Sequence, residues 1–165
     1  MYNYSRIYVA SLSDYNNGVL HGVWLDCFDV ETMQEAINLM LSESTNQPAE
    51  DWAIHDSSGF GTITMSEFTD LEDVVLLAEL LDKHNKNLVS ELYEYFGKTE
   101  DIKTVLEDHY IGCYSSMEDY CENSYPTTNV PDHFKDYIDW EQMGDDVETE
   151  LNVFYVDGEV HIFSY

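Results

Sequence analysis

Apolar and polar residues alternate along RIYVASL, so residues 6–12 predict a strand with one buried face. The Asn- and Gly-rich positions 16–18 predict a turn, and the chain returns as a second strand over 22–28. The period then changes. After Asp29, which suits an N-cap, Met33, Ile37, Met40 and Leu41 recur at i, i+4, i+7 and i+8, the stripe of a short helix. SESTNQPAED reads as a loop, and a third strand is predicted over 52–55, leaving into a Gly-rich turn.

Thr69 and Glu72 have capping-box spacing just before LEDVVLLAELLDKH, which has a clear helical period. A second helix is predicted over 88–96, stopped by Gly97, and a third over 100–110 with Ile102, Val105, Leu106 and His109 on one stripe. Ser115 and Glu118 make another capping pair, so LEDHYIGCYSSMEDYCENSY reads as two short helices joined through 112–115. Pro131 suits the first turn of a helix running to Asp139, with Phe134, Tyr137 and Ile138 inward. The last segment, LNVFYVDGEVHIFSY, is two alternating runs around Asp157-Gly158, a two-residue hairpin turn. Leu151, Val153, Tyr155, Val160 and Ile162 share its buried face. Phe154, Val156, Phe163 and Tyr165 lie with His161 on the other, and so apolar a second face invites another layer or a second subunit. Strands and helices without regular alternation predict an α+β fold built of small units.

Composition sharpens this picture. The 165 residues are 44% hydrophobic, too apolar for a disordered acidic tail, yet 34 Asp and Glu stand against 6 Lys and Arg for a formal charge of −28. A folded object must carry that charge, and its self-repulsion costs stability. Residues 7–82 hold 15 acids and no Lys or Arg, and residues 104–165 hold 15 more with Lys135 as the only cation. Between them, Lys83, Lys86, Lys98 and Lys103 balance Glu91, Glu94, Glu100 and Asp101. Duplex DNA carries one negative charge per about 1.7 Å of axis, so a charge of this size corresponds to roughly 48 Å of duplex. Nucleic acid and anionic membranes would be repelled, and a partner should be a basic protein or present a basic groove.

No run approaches the roughly 18 apolar residues of a membrane span, and the first residues lack a signal-peptide pattern. Cys27, Cys113 and Cys121 are odd in number and widely spaced. Both features predict a cytosolic chain with reduced thiols.

Candidate chemistry is sparse. Neither C-x₂-C nor H-E-x-x-H occurs; Cys113 and Cys121 with His109 lack a fourth zinc ligand, and small buried thiols are the commoner role. Asp14 and Asn16 start like a calcium loop, but Gly18 comes one place early and Leu25 stands where a Glu is required. His55-Asp56 could serve a metal-dependent hydrolase, although such a site needs further converging ligands. No nucleophile elbow, phosphate loop or dinucleotide fingerprint is present. The sequence therefore predicts no catalytic residue, cofactor or metal. Its 13 Tyr, 7 Phe and 3 Trp supply mostly core, with some left for a protein interface.

RIYVASLSDYNNGVLHGVWLD, EDWAIHDSSGFG, EDHYIGCYSSMEDY and FKDYIDWEQMG resemble, in that order, the ArdA family of antirestriction proteins. The resemblance covers essentially the whole chain, and the family's antirestriction motif falls on residues 106–125. It implies a DNA mimic, encoded by mobile elements, that occupies the DNA-binding groove of type I restriction-modification enzymes and blocks restriction of incoming DNA. It also implies an elongated chain of three units: 1–62 with an N-terminal antiparallel sheet, 63–104 central and helical, and 105–165 with helices plus a hairpin sheet and a homodimer interface. Where the family reads Ala-Arg-Asp, this chain has Gly144-Asp145-Asp146.

Under that reading, the acids facing the methyltransferase core, with its specificity and modification subunits, come from both acidic blocks. The first block supplies Asp14, Asp26, Asp29, Glu31, Glu50, Asp51, Asp56, Glu67, Asp70, Glu72, Asp73 and Glu79. The second supplies Glu107, Asp108, Glu118, Asp119, Glu122, Asp132, Asp136 and Asp139. Phe134, Tyr137, Ile138, Phe154 and Phe163 are the expected dimer contacts. Two rivals predict different behaviour: an immunity- or chaperone-type protein sequesters some other basic protein, and a small metal-dependent hydrolase works through His55 and Asp56.

Overall fold

The structure, a computed structural model, describes residues 5–165 and falls into two units, Met1–Glu100 and Asp101–Tyr165. Its helices and two small three-stranded antiparallel sheets make an α+β fold.

In the first unit, β1 (Arg6–Ser11), β2 (Gly22–Asp26) and β3 (Trp52–Ser58) form a sheet in the order β2-β1-β3. The central strand is the most apolar, and Ile7, Val9 and Ala10 are fully buried on it. Tyr8 opposes Asp56 while Val9 opposes Ile54, so His55 is the extra residue of a bulge in β3. Between β1 and β2 the chain forms α1 (Leu12–Asn16), where the sequence predicted only a turn; the Ser11 hydroxyl caps it by accepting from Asp14 N. The helix α2 (Val30–Ser42) begins as expected, with Asp29 Oδ2 accepting from Thr32 N at 2.7 Å. Its stripe of Met33, Ile37, Met40 and Leu41 is buried, and the helix packs on β1 and β2. Each side chain so buried contributes about 1.5–3 kcal/mol, so tertiary packing rather than propensity holds this helix.

The helices α3 (Leu71–Lys83) and α4 (Lys86–Phe96), expected in a separate middle unit, belong to the first unit. The Thr69–Glu72 capping box does not form. Thr69 is tied into the preceding turn, its N–H and hydroxyl both donating to Ser66 O, and Asp70 takes the N-cap position. Asn85 caps α4 through two backbone N–H groups, and Gly97 ends it at φ 68°, the left-handed conformation expected of a helix stop. The short α5 (Thr99–Thr104) runs across the boundary and passes into a π-helical turn, Val105–His109.

The second unit continues with β4 (Tyr110–Tyr114), α6 (Met117–Ser124), α7 (Asp132–Lys135), α8 (Trp140–Glu148), β5 (Asn152–Val156) and β6 (Glu159–Phe163). The predicted hairpin is present, with Asp157 at φ 55° and Gly158 at φ 84°. The predicted helix pair over 106–125 is corrected. Residues 110–114 leave the helix to pair with β6, giving the order β4-β6-β5. The cap moves by one residue as well: the Ser116 hydroxyl accepts from Asp119 N, and Asp119 Oδ2 accepts from Ser115 N and Oγ.

One face of this sheet carries the core, in which Met117, Tyr120 and Cys121 of α6 meet Val160 and Ile162, with Trp140, Met143 and Val147 of α8 around them. Gly144 lets the two helices approach, since a Cβ there would lie 3.1 Å from Met117 and from Glu118 N. Phe154, His161 and Phe163 occupy the reverse face. The helix expected over 131–139 is a single turn, Asp132–Lys135, too short to present a stripe. Phe134 and Tyr137 are accordingly 55% and 83% exposed rather than inward, and Ile138 is half-buried.

Candidate functional site

Six cations can neutralise at most six of the 34 acids, so the charge cannot be dissipated in ion pairs. Lys83 pairs with Glu79 at 3.2 Å and Lys135 with Asp132 at 2.8 Å, both on exposed surface where such pairs contribute little. Most of the acids expected at a partner surface do reach solvent. In the first unit, Asp26, Asp29, Glu31, Glu50, Asp51, Asp56, Glu67, Asp70, Glu72 and Glu79 are exposed, and Asp73 is half-buried. In the second, Glu107, Asp108, Glu118, Glu122, Asp132, Asp136 and Asp139 are exposed, with Asp119 half-buried.

Asp14 is the exception: it is fully buried, which places it outside the exposed set. Its Oδ1 accepts from Asn46 Nδ2 at 2.7 Å, tying α1 to the loop before β3. The Ser44 hydroxyl, with Asn46 and Ser11, holds its carboxyl below the usual range despite its burial. The Ser11–Asp14 spacing marks the start of α1 but not the burial of its acid.

Several exposed acids also build the scaffold. Asp29 and Asp139 cap α2 and α8, accepting from Thr32 N and Gln142 N. The Thr32 hydroxyl and N–H hold Asp29 below its ordinary value, and the Ser115 N–H and hydroxyl, with Asn123, do the same for Asp119. Such carboxylates gain on both counts, since the N-terminal end of a helix favours negative charge.

Two clefts gather acids. In the first unit, Glu67, Asp70 and Glu72 line a hollow of about 230 Å³ with Trp52 and Phe68. In the second, Glu118 of α6 and Glu141, Asp145 and Glu148 of α8 line one of about 450 Å³, closed by Tyr155 and Gly158. The three acids of α8 were not among the expected contacts, although their i, i+4, i+7 spacing marks one helix face. Tyr155 donates its hydroxyl to Glu148 at 2.9 Å, and its own pKa is raised by burial and by that acid. Asp145 stands where the resemblance leads one to expect Arg, and it adds a fourth carboxylate to this cleft.

The other candidate residues are engaged in contacts of their own. His55 and Asp56 line a cleft of about 600 Å³ with Tyr15 and Glu67, but the His55 ring packs edge-on to Tyr15 at 4.6 Å and Asp56 Oδ1 accepts from Ser57 N. Cys121 lies in the core of the second unit and His109 Nδ1 contacts Ser164 O, so neither joins Cys113 in a site. Among the expected dimer contacts, Phe163 is fully covered within the chain and Phe154 half-buried, leaving Phe134 and Tyr137 as the freely exposed pair.

Fold and surface together define a small α+β protein whose exposed carboxylates far outnumber its cations. The sequence places it more narrowly. The antirestriction protein (ArdA) family matches residues 7–161, and the chain belongs to that family. No curated protein matches the chain. Among the described residues, no helix is long and apolar enough to cross a membrane.

Proposed function

We propose that this antirestriction protein acts as a DNA mimic, its carboxylates occupying the DNA-binding groove of a type I restriction-modification enzyme. The observation that carries the reading is the surplus of acids over cations, held at the surface of both units by ordered elements. Lys and Arg side chains placed to meet phosphates would meet Asp and Glu instead, and each contact would release counterions from both partners. The enzyme's duplex would be excluded from the groove. A homodimer through the C-terminal unit, using exposed apolar side chains such as Phe134 and Tyr137, would double the charge to about 56, equivalent to roughly 95 Å of duplex.

Because charge so distributed has no single anchor, neutralisation should act by degrees. Converting Glu118, Glu122, Glu141 and Asp145 together to amides should weaken inhibition of restriction and of methylation several-fold, and adding Glu67, Asp70 and Glu72 should weaken it further. Titrated inhibition of a purified type I enzyme reads this directly. Complete loss on one single substitution in a folded variant would sink the distributed-charge reading. Capture of unrelated basic proteins with no effect on DNA binding would favour a sequestering protein instead.

A further inference from the structure

Three side chains on the reverse face of the second sheet converge for a purpose that charge mimicry does not use. Cys113 of β4 and His161 of β6 are direct cross-strand partners. Glu159 lies two residues from His161 on the same face of β6. Cys113 Sγ, a ring nitrogen of His161 and a carboxylate oxygen of Glu159 all lie within 4.8 Å of one another. This is a mixed set of thiolate, imidazole and carboxylate donors rather than another patch of acids.

The spacing fits a small tetrahedral ion. Cys113 Sγ and His161 Nε2 are 3.9 Å apart. Metal bonds of about 2.3 Å to sulfur and 2.0 Å to nitrogen hold those atoms about 3.5 Å apart at the tetrahedral angle, so a few tenths of an ångström close the pair. The imidazole is already oriented. Its Nδ1 meets the Tyr110 hydroxyl at 2.9 Å, and an Nδ1–H donated to that oxygen leaves the Nε2 lone pair turned toward Cys113. Tyr110 therefore supplies the outer partner that a ligating histidine needs.

Burial of the His161 ring lowers its pKa from the ordinary value, against the opposing pull of Glu159 and Asp157. Desolvation, with Glu159 beside it, raises that of Cys113, so the cation must displace the thiol proton as it binds. Cys113 is exposed, which gives an ion access, while His161 is buried beside Phe163 and Phe154.

We propose that Cys113, His161 and Glu159 bind one thiophilic divalent cation of the zinc class, with a fourth position open to water. Hard ions such as magnesium and calcium, which want six or more oxygens, do not fit this donor set. The bound ion would clip β4 to β6 and stabilise the second unit, because a ligand that binds only the folded state favours it.

Cobalt(II) added to the full chain, in physiological salt and excess magnesium, tests the site without reference to antirestriction activity. The expected result is one equivalent bound per chain, with a thiolate-to-cobalt charge-transfer band that Cys113→Ser abolishes. Glu159→Gln should weaken binding, and Tyr110→Phe should weaken it about tenfold while keeping the band. Circular dichroism of each variant separates lost ligation from lost folding. Three outcomes overturn the proposal: no thiolate band at one equivalent, a band that survives Cys113→Ser, or binding that disappears when magnesium is added.

Discussion

Asp14 and Asp26 are acids of the same lysine-free block, yet one is enclosed and the other faces solvent. The difference lies in the partners available. The Ser44, Asn46 and Ser11 side chains hold the Asp14 carboxyl below the ordinary 3.8, with Asn46 donating to Oδ1 while Oδ2 is buried without a hydrogen-bond partner. A group whose pKa is depressed on folding contributes stability above its unfolded value and loses that contribution as pH falls through the folded one. Asp14→Asn keeps the size but not the charge. It should lower the denaturant midpoint at pH 7, and the gap from the parent should narrow below about pH 4. Inhibition by the folded fraction should be unchanged. An unaltered midpoint at pH 7 would show that the buried carboxylate is replaceable and that its donors do not depend on its charge.

At the scale of elements, α6 and α8 show how small residues set the acidic cleft. Gly144 on α8 sits against the Met117–Glu118 backbone, and any larger side chain must push the helices apart. Gly144→Val should cost about 1–3 kcal/mol by overpacking, measurable as a lower midpoint with an unchanged denaturant slope. A variant as stable as the parent would mean that the two helices separate freely. The same elements show what the sequence could disclose. The helix α2 and the Asp157-Gly158 hairpin were legible because cap, period and turn lie within a few residues of one another. The strand β4 was not, because its partner β6 is about 50 residues away and only that pairing ends the helix before Tyr110. For the same reason Cys113 and His161, 48 residues apart, gave no motif. The acidic stripe Glu141, Asp145 and Glu148 went unread because no helix was expected over 140–148, and the burial of Asp14 depended on Asn46, 32 residues along the chain.

For the molecule as a whole, a charge of −28 on 165 residues is a standing cost, since the acids repel one another in the folded state more than in the open chain. Salt screens that repulsion and should stabilise the protein, while the same salt should weaken any binding driven by counterion release. These opposite signs make salt a clean probe, because weaker binding in high salt cannot then be ascribed to unfolding. The decisive measurement is a competition in which a type I methyltransferase core is held on labelled cognate DNA and this protein is titrated in at several salt concentrations. The account predicts displacement of DNA at near-stoichiometric protein, with an apparent affinity that falls steeply and linearly on a logarithmic salt axis. DNA that stays bound at saturating protein, or displacement indifferent to salt, would contradict it.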